Sequence, residues 1–255
     1  MEPITLAGAE RFALLLVRCT GFFLTGPIFA QQRVPPLVKI LLGLSVTIAL
    51  YGVAPVTALP ARGLGAFLFC VAGDTFLGML LGFAAALPFA GIHLAGSLTG
   101  VQMGFGIVQS WDPSTEGQED LIARIYGLLS VLLFLLLNGH HLLLRALGLS
   151  LKALPLGGVV LTASLAHQVV ALAGSVFVVA LAIGGPLLAV LFLVDAAMGF
   201  VARTVPQMNI FIVGFPVKIG VGLLGIVLTA PFFARTVDRL MCGMERDLLG
   251  LLAGM

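Results

Sequence analysis

Long stretches of this chain carry no charged side chain, and their lengths are the first guide to its elements. Charge-free runs cover residues 19–32, 40–61, 75–111, 125–144, 153–194 and 219–234. About 20 apolar residues make one membrane-crossing helix, so the runs at 75–111 and 153–194 are each long enough for two. Candidate turns fall inside them, at Pro88 and Gly91 in the first and at Gly174-Ser175 or Gly184-Gly185-Pro186 in the second. The pattern predicts an all-α, membrane-associated chain of helical hairpins, read as one domain over residues 1–255.

Some of the apolar sequence is broken. From Arg203 to Lys218 the chain is as hydrophobic as a membrane helix, yet Pro206 and Pro216 each remove a backbone donor and disfavour helical geometry in the residue before them. Asn209 and Lys218 add polar groups, so this segment needs protein around it rather than hydrocarbon. Asn138-Gly139-His140 reads as a second interruption, with side chains serving the freed backbone groups. Beyond Phe233, Val237, Leu240, Met241, Met244, Leu248 and Leu249 recur at helical spacing between charged residues. They predict an amphipathic helix at about 235–252 lying on a membrane surface or on a partner.

Composition narrows the class. Sixty per cent of residues are hydrophobic, only 9% are charged and the mean hydropathy is +1.17, whereas a soluble domain is about one-quarter charged. A net charge of +2 with no cluster of basic residues argues against nucleic acid as a partner. Arg33 and Lys39 on one link and Arg145 and Lys152 on another contrast with the acidic stretch from Asp112 to Arg124, which a simple positive-inside model turns into seven or eight crossings. Glu2, Glu10 and Arg18 make the N-terminus a retained segment rather than a removable signal. Cys19, Cys70 and Cys242 are widely spaced in apolar surroundings and read as core thiols.

Few residues offer chemistry. Asp74 and Asp195 are lone acids in apolar runs, where charge costs about 2.5–3.5 kcal/mol on insertion scales. Neither has the sequence context of an intramembrane aspartyl protease, and each is expected at a helix end or paired with a base, Arg203 being the candidate two turns after Asp195. His140 and His141 are adjacent and do not share a helix face, while His93 and His167 stand alone. No metalloprotease, hydrolase or phosphate-loop motif occurs, so no catalytic, metal or cofactor site is expected. Gly96, Gly100 and Gly104 recur every four residues and place three bare patches on one helical face, suited to close helix packing. Gly78 and Gly82 repeat the spacing, which a chain with 32 glycines also produces by chance.

Four segments, in order, resemble one family. These are Gly26-Pro27-Ile28-Phe29 with Arg33-Val34-Pro35 and Lys39; Gly100-Val101-Gln102-Met103-Gly104 leading to Trp111-Asp112-Pro113; Phe134 to His140; and Pro206-Gln207-Met208-Asn209-Ile210-Phe211-Ile212-Val213-Gly214-Phe215-Pro216-Val217-Lys218. They are similar to the signatures of the FliR family of flagellar type III export-gate subunits, over residues 18–234. Phe105-Gly106-Ile107 and Trp111 fall in a variable part of that pattern.

The resemblance implies a non-enzymatic subunit of a hetero-oligomeric helical gate in the bacterial inner membrane, within the flagellar basal body. FliP-like, FliQ-like, FlhB-like and FlhA-like proteins would be its partners, with membrane lipid around it and unfolded flagellar proteins as cargo. Pro206, Gln207, Asn209, Phe211, Gly214, Pro216 and Lys218 would be its structural motif. The loop Met103, Gly104, Phe105, Gly106, Ile107 and Val108, with Asp112 and Pro113, starts apolar and flexible and ends in polar turn sequence, and is expected to form the gate element. An injectisome homologue is the close alternative. A broken-helix transporter, with Asp74, Asp195 and Lys218 around one midplane site, is the alternative from another class.

Overall fold

A computed structural model describes residues 6–27, 35–52, 63–106, 120–158, 162–205, 207 and 209–253, and among them there is no strand. The helices are α1 (Leu6–Thr25), α2 (Pro36–Tyr51), α3 (Leu64–Met103), α4 (Leu121–Leu136), α5 (Gly139–Ala153), α6 (Ala163–Thr204) and α7 (Ile210–Ala253). The all-α expectation is met.

The helices are longer than the charge-free runs suggested. Inside each of the two longest runs a single helix continues through the expected turn, α3 through Pro88 and α6 through Pro186, and α7 continues through Pro216 and Pro231. Proline deletes one backbone hydrogen bond without forcing a turn when neighbouring helices hold both flanks. Gly91 and Gly184, expected at turns, serve packing instead. A Cβ on Gly91 would lie 2.7 Å from Val179 on α6, and one on Gly184 would lie 3.4 Å from the Ala95 carbonyl on α3. At 40 residues α3 is about 60 Å long, roughly twice a hydrocarbon core.

The breaks come elsewhere. Asn138 adopts the left-handed conformation (φ 56°, ψ 29°) between α4 and α5, a geometry asparagine tolerates better than most residues. Its side chain makes no capping hydrogen bond, so the interruption lies where the sequence placed it but is not satisfied as expected. The second break lies between Thr204 and Ile210. The start of α2 follows its proline, with Pro36 at the first helical position.

By length and composition, α3, α6 and residues 212–252 can each cross a membrane, and α4 with α5 makes a fourth candidate if the bent pair counts as one span. The described residues thus offer fewer crossings than the seven or eight of the charge-based model.

The chain divides into two compact units. The first combines residues 1–87, 138–173 and 241–255. Leu14, Leu15, Phe22, Leu77, Leu81, Leu147 and Leu248 form its core. Here α1 crosses α3 at glycines: a Cβ on Gly78 would sit 2.1 Å from the Arg18 carbonyl, and one on Gly82 would sit 2.2 Å from Thr25 Oγ1. The Gly78/Gly82 spacing therefore marks a packing face. Met241, Met244, Leu248, Leu251 and Leu252 are buried, and Glu245 lies 3.9 Å from Arg145 of α5. The apolar stripe expected at the C-terminus lies at the end of α7, with Val237, Met241, Met244 and Leu248 buried within the chain and Leu249 exposed.

The second unit combines residues 88–137 and 174–240. Ile92, Met103, Ile122, Phe134, Leu187 and Leu191 are its buried centre, with Phe89 edge-on to Phe134 and Tyr126 tilted on Phe233.

Candidate functional site at the end of α3

In the second unit, the last turn of α3 is held by two other helices. Gln102 Nε2 donates to Asp195 Oδ2 of α6 at 2.8 Å, and Lys218 Nζ of α7 lies 2.5 Å from Asp195 Oδ1. Asp195 thus pairs with Lys218 rather than with Arg203, which is exposed at the end of its own helix. The geometry is unreadable along one helix because the partner comes from the next. The pair is partly screened, with 21% of the Lys218 side chain and 35% of the Asp195 side chain exposed. It is neutral as a unit, which lowers the cost of placing either charge in an apolar span.

Backbone and packing fix the same turn. The Gly104 N–H donates to the Val101 carbonyl and the Phe105 N–H to the Gly100 carbonyl, both at 3.0 Å. This Schellman cap needs a left-handed residue after the helix, and Gly104 supplies it at φ 98°. Met103 is fully buried over Gly222 of α7, where a Cβ would meet its Cε at 2.5 Å, and Gly104 lies on the Phe215 ring, 2.6 Å from the place a Cβ would occupy. Two segments matched at the sequence level, residues 100–104 and 214–218, therefore come together.

The next helix begins beside this turn. Asp120 caps α4, its Oδ1 accepting from the Ile122 N–H at 3.0 Å, and both its oxygens lie where a Cβ on Gly100 would go, at 2.2 and 2.0 Å. A Cβ on Gly96 would come within 2.5 Å of Ala123 Cα. Gly96 and Gly100 thus face α4 and its cap, while Gly104 has left the helix and faces α7. Burial pushes the Asp120 carboxyl above the usual range, opposed by the Ile122 N–H and by His93.

Of the remaining sequence-selected residues, Gln207 and Asn209 are exposed at the break before α7, Gly214 is buried and Pro216 is exposed within α7. Ile107, Val108, Asp112, Pro113 and Pro206 lie outside the described residues, and Phe211 is described in its backbone alone.

A second polar centre lies in the first unit. Arg18 and Asp74 form a salt bridge with both side chains fully buried, through Arg18 Nη2 and, at 2.8 Å, Nε. Arg18 Nη1 also donates to the Leu154 carbonyl at 2.9 Å and to that of Ser150 at 3.3 Å. Gly157, at φ 75°, donates its N–H to Asp74 Oδ2 at 2.9 Å. Asp74 therefore has the base expected for it. Arg18 carried its own signal, since a lone arginine in an apolar run is itself a request for a partner. Among the described residues no three His, Cys, Asp or Glu side chains cluster as metal ligands.

Comparison with known proteins bears on this arrangement. Residues 9–244 match the model of a family described as bacterial export proteins, family 1. The chain is 32% identical over 250 residues to the flagellar biosynthetic protein FliR of Bacillus subtilis, covering 94% of this chain and 95% of that one. It is 32% identical over 226 residues to FliR of Escherichia coli, covering 88% and 86%. To FliR of Pectobacterium carotovorum it is 30% identical over 240 residues, covering 91% and 88%.

Proposed function

The chain belongs to family 1 of the bacterial export proteins, the family of the flagellar biosynthetic proteins FliR, and from that premise we propose that it is a gate subunit of the flagellar type III export apparatus. Membership makes it a flagellar export component, and its long apolar helices make it membrane-bound. In our reading it sits in the bacterial inner membrane at the flagellar basal body, joins FliP-like and FliQ-like subunits in a closed helical ring, and meets FlhB-like and FlhA-like components. Unfolded flagellar proteins pass through the ring. The chain acts by structure and gating rather than by catalysis, with energy supplied elsewhere in the machine.

The observation that carries the gating role is the convergence of two family motifs where α3 ends, with Gln102, Met103 and Gly104 seated on Asp195, Gly222 and Phe215. The chain emerges there from a rigidly held helix end into Phe105 and Gly106, and an apolar segment on so fixed a base is suited to closing a water-filled path. Exposed apolar side chains support the partner reading: Phe177, Phe192, Phe200, Ile212, Val227 and Leu228 are each about two-thirds or more exposed in the isolated chain. The three relatives described above are all flagellar, which favours this branch over an injectisome. The transporter reading is weakened, since Asp74 and Asp195 each already carry a base, Arg18 and Lys218.

Purification of the tagged chain in mild detergent tests the assembly. Recovery with FliP-like and FliQ-like proteins supports the gate. A lone, monodisperse protein overturns it.

A further inference from the structure

We infer that Asp195 is a positioning residue that sets, through Gln102, the direction in which the chain leaves α3. This deepens the gate reading above and rests on it for its biological meaning, although its geometry does not. Gln102 lies inside the Schellman cap, between the acceptors Gly100 and Val101 and the donors Gly104 and Phe105, so a bond to its side chain fixes the rotation and tilt of the turn that ends at Gly104. Its acceptor, Asp195 Oδ2, belongs to a carboxylate whose other oxygen is held by Lys218, so one charged group ties the end of α3 to α6 and α7. Met103 over Gly222 and Gly104 on Phe215 supply only apolar contact, which resists separation but not sliding. The directional element is the Gln102–Asp195 bond. Lys218 holds the acceptor carboxylate in place, and bonds to charged groups are the stronger ones.

The test uses the full-length chain in cell membranes, with Cys242 replaced by serine and Phe105→Cys as a reporter. Cys19 and Cys70 are buried and serve as unreactive background. Maleimide labelling of position 105 is compared in the parent, Gln102→Leu, Asp195→Leu and the double variant. Each single variant should raise the labelling rate about tenfold, as expected for losing one hydrogen bond to a charged acceptor. The double variant should be no faster than either single, because both remove the same contact. Asp195→Glu, which retains charge and acceptor, should restore slow labelling.

Unchanged rates in both singles, or effects that multiply in the double, overturn the inference. Gln102→Leu leaves the ion pair intact, so its rate decides the matter alone if Asp195→Leu fails to accumulate. Faster labelling combined with no added ion conductance after removal of residues 105–108 would uphold the positioning role and refute the gate reading, so the two fail separately.

Discussion

Asp74 illustrates how strongly one residue can hold a membrane chain together. Its carboxylate neutralises Arg18 where neither side chain reaches solvent, and Arg18 spreads its remaining donors over carbonyls at the end of α5. Asp74→Asn leaves a buried guanidinium without its counter-charge and should cost about 3–5 kcal/mol, whereas Arg18→Met with Asp74→Leu should recover most of the loss. Thermal unfolding of the detergent-solubilised chain measures both; a single variant as stable as the parent would remove the argument. Lys218 differs, because its pair with Asp195 is partly exposed and worth about 1 kcal/mol or less. Lys218→Met should therefore be tolerated, while Lys218→Glu sets two carboxylates against each other and should impair swarming. Equal swarming by the two variants would deny the charge a role. That both acids seek bases was legible in the sequence, from the expense of lone charge in an apolar run. Which base each finds was not, because Arg18 lies 56 residues from Asp74 and Lys218 lies on the helix after Asp195.

Helix contacts turn on glycines whose role depends on what they face. Gly100 meets the carboxylate that caps α4, so Gly100→Leu should displace Asp120, unseat the start of α4 and prevent recovery of the assembled complex, with Gly100→Ala doing the same to a lesser degree. Pull-down yield is the measure, and a normal complex from the leucine variant would refute the packing role. Gly220, with open space around its Cβ position, provides a control in which alanine leaves the chain's own fold intact. The four-residue glycine spacing was a readable signal for close approach. Its exact use was not, since Gly104 carries a positive φ and caps α3 instead of lying on the ridge. Prolines misled for the complementary reason. Turn propensity is local, but whether Pro88 or Pro186 ends a helix is decided by neighbours that local sequence does not contain.

At the scale of the whole molecule, the exposed apolar faces of α6 and α7 and the fixed end of α3 fit a subunit completed by others around it. Hydropathy showed that apolar surface exists but not whether lipid or protein covers it. The gate proposal is tested at the end of α3. Deleting Phe105 to Val108 removes the apolar start of the proposed seal and leaves what holds either side of it: Gln102 on Asp195 and Met103 over Gly222 before it, Asp120 on Ile122 and Gly96 against Ala123 after it. Because these anchors are independent of the deleted residues, the complex should assemble in normal amount. What should change is the membrane. An apolar constriction excludes water and ions until a substrate displaces it, so its loss should raise the resting conductance of cells or reconstituted vesicles to small ions. The comparison is made between parent and deletion at matched levels of assembled complex, with export active and at rest. A deletion that assembles and conducts no more than the parent in either condition would show that Phe105 to Val108 do not form the seal.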